Sequence, residues 1–298
     1  MMDLHTWACP SCHSLLAEEE DGVRCQREGR KFQRRNGILA LMASEDEPLL
    51  LEAEHYAHAW ARLGWLPSPE ALRELPFVQA GPGRKVWKAK ARAYESLMRI
   101  LGPARTRRVG DMGAGTGWLA YRLASAGFRC YATDVSADAR TGLGAASAYD
   151  ATPGRFERVL ATLTRWPFHD ESLDVAICNA SLHYVRNVRP VVQEARRVLR
   201  PEGVFVTMNE PVHMDARSAK RAAADFRERL RGLGGSGLLV EEYSHLVAED
   251  YEATLSESFQ TVKRHDPPYG PAFTWIRRAK GILLRMELAS FPLYHALK

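Results

Sequence analysis

The sequence predicts an α/β protein whose second half forms a doubly wound, mostly parallel sheet, preceded by a small cysteine-bearing segment and a helical connector. Three observations carry this expectation. Short apolar, β-like runs alternate with amphipathic stretches from position 107 onward, a glycine-rich loop joins the first run to the next helix, and three of the five cysteines crowd the N-terminus. Alternating β and α segments place helices on both faces of a parallel sheet.

Residues 1–42 hold Cys9-Pro10-Ser11-Cys12 and, after twelve intervening residues, Cys25. Turn-forming glycines and the closing Asn36-Gly37-Ile38-Leu39 suit short strands joined by turns, and a unit this small needs a staple to stand alone. The cysteine spacing is the knuckle-to-knuckle spacing of a zinc ribbon. A full site needs a fourth ligand shortly after Cys25, where the chain offers Gln26, Arg27, Glu28 and Gly29. Carboxylate is an acceptable zinc ligand, so Cys9, Cys12, Cys25 and Glu28 form the candidate metal set; a ribbon that has lost its metal is the alternative.

Residues 43–105 read as a helical connector or lid: His55, Tyr56 and Trp60, then Trp87, Tyr94, Leu97 and Ile100, fall at helical spacing between breaks at Pro67, Pro69, Pro76 and Gly81-Pro82-Gly83. Residues 106–298 supply the alternating domain. Strands are expected at 107–112, 128–133, 157–160, 173–178 and 204–208, with helices from 117 and over 188–199. A glycine-rich joint at 232–237 leads to a helix near 246–256, a strand near 259–265, a basic helix near 272–286 and a last strand near 289–297.

With 298 residues and 46% apolar content the chain can bury a sizeable core. No stretch approaches the roughly 18 apolar residues of a membrane span, and the opening Met1-Met2-Asp3-Leu4-His5 lacks the basic-then-apolar layout of a secretory signal; a cytoplasmic protein without membrane contact is expected. Cys130 and Cys178 lie singly in apolar runs where a thiol packs well, which argues against a disulfide framework. The formal charge of +5 is mild, and runs such as Arg227, Arg229 and Arg231 have the spacing of a solvated helix face rather than a nucleic-acid stripe.

The strongest local signal is Val109-Gly110-Asp111-Met112-Gly113-Ala114-Gly115-Thr116-Gly117-Trp118, a strand entering glycines and then a helix. Glycines let the backbone approach a ligand, and a helix N-terminus offers unpaired N–H groups. The sixth position counted from Gly113 is Trp118 and from Gly115 is Ala120, so the dinucleotide fingerprint is not met, and no Gly-Lys-Ser/Thr phosphate loop is present. The next strand ends in Asp134, 23 positions beyond Asp111. A carboxylate there is placed to accept from both ribose hydroxyls of a nucleoside; a helix cap is the alternative.

These residues resemble the class I S-adenosylmethionine-dependent methyltransferases. The acid and glycines of that family's first motif are matched by Asp111, Gly113, Gly115 and Gly117, and its second-strand acid by Asp134. Trp166-Pro167-Phe168 running into Ser172-Leu173-Asp174, then Ser181-Leu182-His183-Tyr184, and then Val198-Leu199-Arg200-Pro201-Glu202-Gly203 continue the resemblance across about residues 106–298. It implies a seven-stranded Rossmann-like sheet and S-adenosylmethionine held by Asp111, Gly113, Ala114, Gly115, Gly117, Asp134, Val135, Thr162, Leu163 and Asn179. Thr162 stands where the family often has an Asp for the adenine amino group. The resemblance also implies methyl transfer by in-line displacement, helped by alignment and desolvation. His183 and Tyr184 are the candidate catalytic residues, since histidine as a type titrates near neutrality; His183 as mere pocket lining is the alternative. Glu210 is a second carboxylate near the same mouth.

The N-terminal segment is similar to the short zinc-ribbon family that activates RNA and protein methyltransferases. The expected function is methyl transfer to a small metabolite or biosynthetic intermediate. An RNA methyltransferase gripping its substrate with the ribbon and a non-catalytic cofactor-binding partner are the competing readings.

Overall fold

The computed structural model describes residues 2–64, 68, 70–81, 83–104, 107–150, 154–269, 275, 281, 283 and 286–298. The chain opens with four short strands, β1 (Leu16–Glu19), β2 (Gly22–Cys25), β3 (Lys31–Arg35) and β4 (Ile38–Ala40), paired as an antiparallel meander. Asn36 and Gly37 both take positive φ (49° and 76°) between the paired Arg35 and Ile38. That is the two-residue turn for which Asn-Gly is the preferred sequence.

Helices α1 (Pro48–Ala61) and α2 (Arg84–Leu101) follow, with a short 3-10 turn over Glu70–Glu74 between them. The alternating domain then supplies β5 (Arg108–Met112), α3 (Trp118–Ser125), β6 (Arg129–Asp134), β7 (Glu157–Leu160), β8 (Leu173–Asn179), α4 (Arg189–Val198) and β9 (Leu199–Met208). A minor pair, β10 (Val212–His213) and β11 (Leu246–Val247), brackets α5 (Ala216–Gly232) and α6 (Leu238–Glu241). The chain ends with α7 (Ala248–Ser258), β12 (Thr261–His265) and β13 (Leu293–Leu297). Most of the expected basic helix near 272–286, and Pro67, Pro69 and Pro82, lie outside the described residues.

Eleven of the described strands form one sheet in the order β1-β2-β3-β4-β7-β6-β5-β8-β9-β13-β12, and β10 and β11 form a separate pair. From β4 to β9 all neighbours are parallel, while β13 runs antiparallel to both β9 and β12. Apolar residues of the central strands alternate between faces, as a period of two requires. Val175 and Ile177 pack on the side covered by α2 and α3, whereas Ala176 and Cys178 pack on the side covered by α4 and α7. Strands buried on both faces read as continuous apolar runs, which is why 173–178 is recognisable without polar alternation. Cys130 and Cys178 are buried free thiols within this core.

The expectation of a seven-stranded sheet with a ribbon-like segment apart from it needs correction: among the described residues the sheet has eleven strands, is mixed, and includes the N-terminal segment. Leu39 and Ala40 pair with Val159 and Leu160. Without β4, β7 would be an unpaired edge, a template for association that proteins usually cover. Ile38 is buried on one face of the sheet and Leu39 on the other, so this short strand completes both cores. Trp7 adds to the join by stacking on Phe168 at 4.5 Å and meeting Tyr131 edge-on at 5.5 Å.

Candidate functional site

A cavity of about 780 Å³ lies at the carboxyl ends of β5, β6, β8 and β9, where ligands bind in open α/β sheets. Its floor at one end is the glycine loop. Gly113 N and Ala114 N donate to the Thr133 carbonyl at 2.8 and 2.9 Å, tying the loop to the end of β6. Gly113 takes φ +70°, and a Cβ built on it falls 2.5 Å from Cβ of Ser181, so no side chain fits. Gly115 also takes a left-handed φ, +55°, and lines the cavity with Ala114 and Thr116.

Asp134 stands opposite the loop. Its Oδ2 accepts from Gly115 N at 2.8 Å and its Oδ1 from Ser136 N at 2.9 Å. Burial pushes its carboxyl above the usual range, while the N–H groups of Ser136, Gly115 and Val135 pull the other way. The following segment forms turns and a 3-10 stretch over Leu143–Tyr149, so Asp134 caps no α-helix. Val135, Thr162, Leu163 and Asn179 also line the cavity. The Asn179 Oδ1 accepts from Asn209 Nδ2 at 2.8 Å across the ends of β8 and β9.

Two of the expected ligand residues lie outside this lining. Asp111 is buried beneath the loop, where Oδ2 accepts from Ala120 N at 3.2 Å in the first turn of α3 and Oδ1 has no partner among the described residues. Burial pushes its carboxyl up to about 7. Gly117 caps α3, and a Cβ there would meet the Phe156 ring at 2.6 Å. Both residues shape the loop from behind.

At the other end of the cavity, Ala180 and Asn209 take left-handed φ values of 56° and 60° as the chain leaves β8 and β9. Such conformations in non-glycine residues cost energy and cluster at ligand sites. They bring Glu210 beneath the turn that carries His183. Glu210 Oε1 accepts from Ser181 N and Leu182 N at 2.7 and 2.9 Å, and Oε2 lies 2.8 Å from His183 Nδ1. A carboxylate can only accept, so beside an ionised Glu210 the Nδ1 carries a proton, and a neutral ring in that tautomer presents Nε2 as its acceptor. Tyr184, beside it, accepts a 2.6 Å hydrogen bond from the Tyr56 hydroxyl of α1, and burial pushes its phenol up to about 12.

The remaining wall comes from distant parts of the chain: Tyr56 and Trp60 of α1, Trp87 and Lys90 of α2, Phe226 of α5, and Tyr243. The Tyr243 hydroxyl is 3.3 Å from His245 Nε2, and His245 Nδ1 is 3.0 Å from His213 Nε2. Burial, with His213 nearby, holds His245 down at about 3, a neutral ring at any working pH. The sequence reads the stretch holding Tyr56, Trp60 and Trp87 as a helical connector or lid, without marking which of its side chains face the cavity.

In the N-terminal meander, one ligand atom from each of Cys9, Cys12, Cys25 and Glu28 lies within 4.8 Å of the other three. The Cys12 and Cys25 sulfurs are 3.5 Å apart, and Cys9 Sγ is 3.6 Å from Glu28 Oε2. Sulfurs bound to one tetrahedral zinc at about 2.3 Å would sit roughly 3.8 Å apart, so the donor set fits that ion.

Comparison with known proteins agrees with this geometry. Residues 110–207 match the methyltransferase domain family. A ubiquinone/menaquinone biosynthesis C-methyltransferase of Methylobacterium nodulans is 29% identical over 179 residues, covering 57% of this chain and 67% of that protein. The chain spans 58–67% of the length of the first curated relatives it matches. Among solved structures, geranyl diphosphate C-methyltransferase of Streptomyces coelicolor superposes with a TM-score of 0.52 at 18% identity, over 71% of this chain and 77% of that one. A complex of the Haloferax volcanii Trm112 methyltransferase activator with its putative methyltransferase gives 0.51 at 15% identity, over 72% and 93%. Residues 110–207 therefore carry a methyltransferase domain. The glycine cradle and Asp134 are the parts of that domain described above.

Proposed function

We propose that the protein transfers a methyl group from S-adenosylmethionine to a small acceptor with an apolar or aromatic body, and that His183, held by Glu210, accepts the acceptor's proton. One observation carries this reading: a single cavity runs from the glycine loop and Asp134 to the His183–Glu210 pair, walled by Tyr56, Trp60, Phe226 and Tyr243. A recess of this size with aromatic walls suits a small, partly apolar molecule. The relation to a quinone-biosynthesis C-methyltransferase supports the same class of acceptor.

The cofactor supplies an electrophilic methyl group on a sulfonium. Asp134 would accept from the ribose hydroxyls, the loop at Gly113 and Gly115 admits a ligand's backbone-close approach, and Thr162, Leu163 and Asn179 bound the cofactor end of the cavity. Glu210 fixes the His183 tautomer so that Nε2 is the proton-accepting atom. The aromatic wall excludes water from the reacting groups. In the meander, Cys9, Cys12, Cys25 and Glu28 would hold one structural zinc ion, leaving no open position for catalysis.

Turnover of methyl-labelled S-adenosylmethionine with a metabolite extract, and separately with total RNA, tests the reading. Label in a small molecule, abolished in His183→Ala, is expected. Label in RNA alone would overturn the choice of acceptor, and cofactor binding without turnover in either pool would favour a non-catalytic partner.

A further inference from the structure

Lys90 is a cation in the wrong place for a surface lysine. It lines the cavity from α2, with Nζ 4.8 Å from the centre of the Trp87 ring. It takes part in none of the hydrogen bonds or ion pairs among the described residues. The other guanidinium or ammonium group on the lining, Arg186, is already paired with Glu242 at 3.5 Å and with the Glu241 carbonyl at 3.1 Å. Glu210 acts on Lys90 only through its field, because both of its oxygens are taken by Ser181, Leu182 and His183. A half-buried cation with no anion in reach among the described residues is a ready partner for the anion of a ligand.

Glu210, which follows β9, is the carboxylate whose field reaches Lys90. Burial lowers its ammonium to about 8, against a small upward pull from Glu210, so it remains mostly charged at neutral pH yet poorly solvated.

We propose that Lys90 is the recognition group for a ligand carboxylate bound inside this cavity. The proposal rests on the methyltransferase reading of that cavity. Two molecules can present such a group there: the cofactor, through its amino-acid tail, or an acidic aromatic acceptor. The chemistry is shared, and matched pairs of ligands with and without the carboxylate separate the sources.

Calorimetry on the wild type, Lys90→Met and Lys90→Arg decides it. The first pair is S-adenosylhomocysteine and 5′-methylthioadenosine, which share the adenosine and sulfur but differ in the amino-acid tail. The second pair, titrated into protein saturated with S-adenosylhomocysteine, is phenylacetate and its methyl ester. In Lys90→Met the carboxylate-bearing member of one pair should weaken by at least about tenfold while its neutral counterpart is unchanged, and Lys90→Arg should recover most of the loss. A loss confined to the first pair assigns the cofactor tail, and one confined to the second assigns the acceptor. Unaltered discrimination within both pairs, in a Lys90→Met protein of normal melting temperature, overturns the proposal. Failure of the wild type to bind either adenosine compound would instead overturn the cofactor reading beneath it.

Discussion

At the scale of single residues, the site separates groups that touch the cavity from groups that hold them. Asp134 does both, since its two oxygens already bind Gly115 and Ser136 while its carboxylate faces the cavity. Asp134→Ala is expected to weaken S-adenosylhomocysteine by at least about tenfold, the loss of one charge-assisted hydrogen bond of about 1.5–3 kcal/mol. It should also lower the melting temperature, because two backbone donors lose their acceptor. Calorimetry and thermal unfolding on the same variant check both, and unchanged affinity would remove Asp134 from the cofactor site. Asp111 gives a pH signature instead. Its folded carboxyl, near 7, lies above the ordinary 3.8, so between these values the unfolded state sheds its proton first. Stability then falls as pH rises from about 4 to about 7 and is flat above, by linkage. Asp111→Asn removes this titration, so urea unfolding should show its stability relative to wild type rising across that window.

At the scale of elements, the sequence was most legible where structure is local. The run 157–160 is a strand with those bounds, and the glycine loop, Asp134, Val135 and Asn179 lie together because each ends or follows a strand of the same sheet edge. The pairing of β4 with β7 joins residues 120 positions apart and leaves no periodic trace in either segment. Lys90, Phe226 and Tyr243 reach the cavity from separate elements, and nothing in their immediate sequence distinguishes them from ordinary helix or loop residues. The β4–β7 pairing makes the metal set testable. Zinc-replete protein should carry about one equivalent by elemental analysis, and a chelator should raise hydrogen exchange in β1–β4 first and then in β7, through the shared ladder. Metal-free protein with unchanged exchange would leave a ribbon held by packing alone.

At the scale of the whole molecule, the meander is a structural flank of the domain, and removing residues 1–42 should leave β7 and the Tyr131–Phe168 surface open rather than release a smaller working enzyme. Size-exclusion chromatography of residues 43–298 should show aggregates; a monomer that binds S-adenosylhomocysteine would refute this. The segment around β10 and β11 is organised differently. Between Val212 and Leu246 the chain makes an excursion through α5 and α6, and its two ends are clamped side by side as β10 and β11. Val212 is further tied to Ser290 by paired backbone bonds of 2.9 and 2.7 Å. The excursion supplies Phe226 and Tyr243 to the wall, whereas the glycine loop and Asp134 are built wholly outside it. Exchanging Phe226 or Tyr243 for smaller side chains is therefore expected to alter which acceptors the cavity admits while leaving the affinity for S-adenosylhomocysteine unchanged, because the walls that shape one guest and the loop that seats the other are folded from separate stretches of chain.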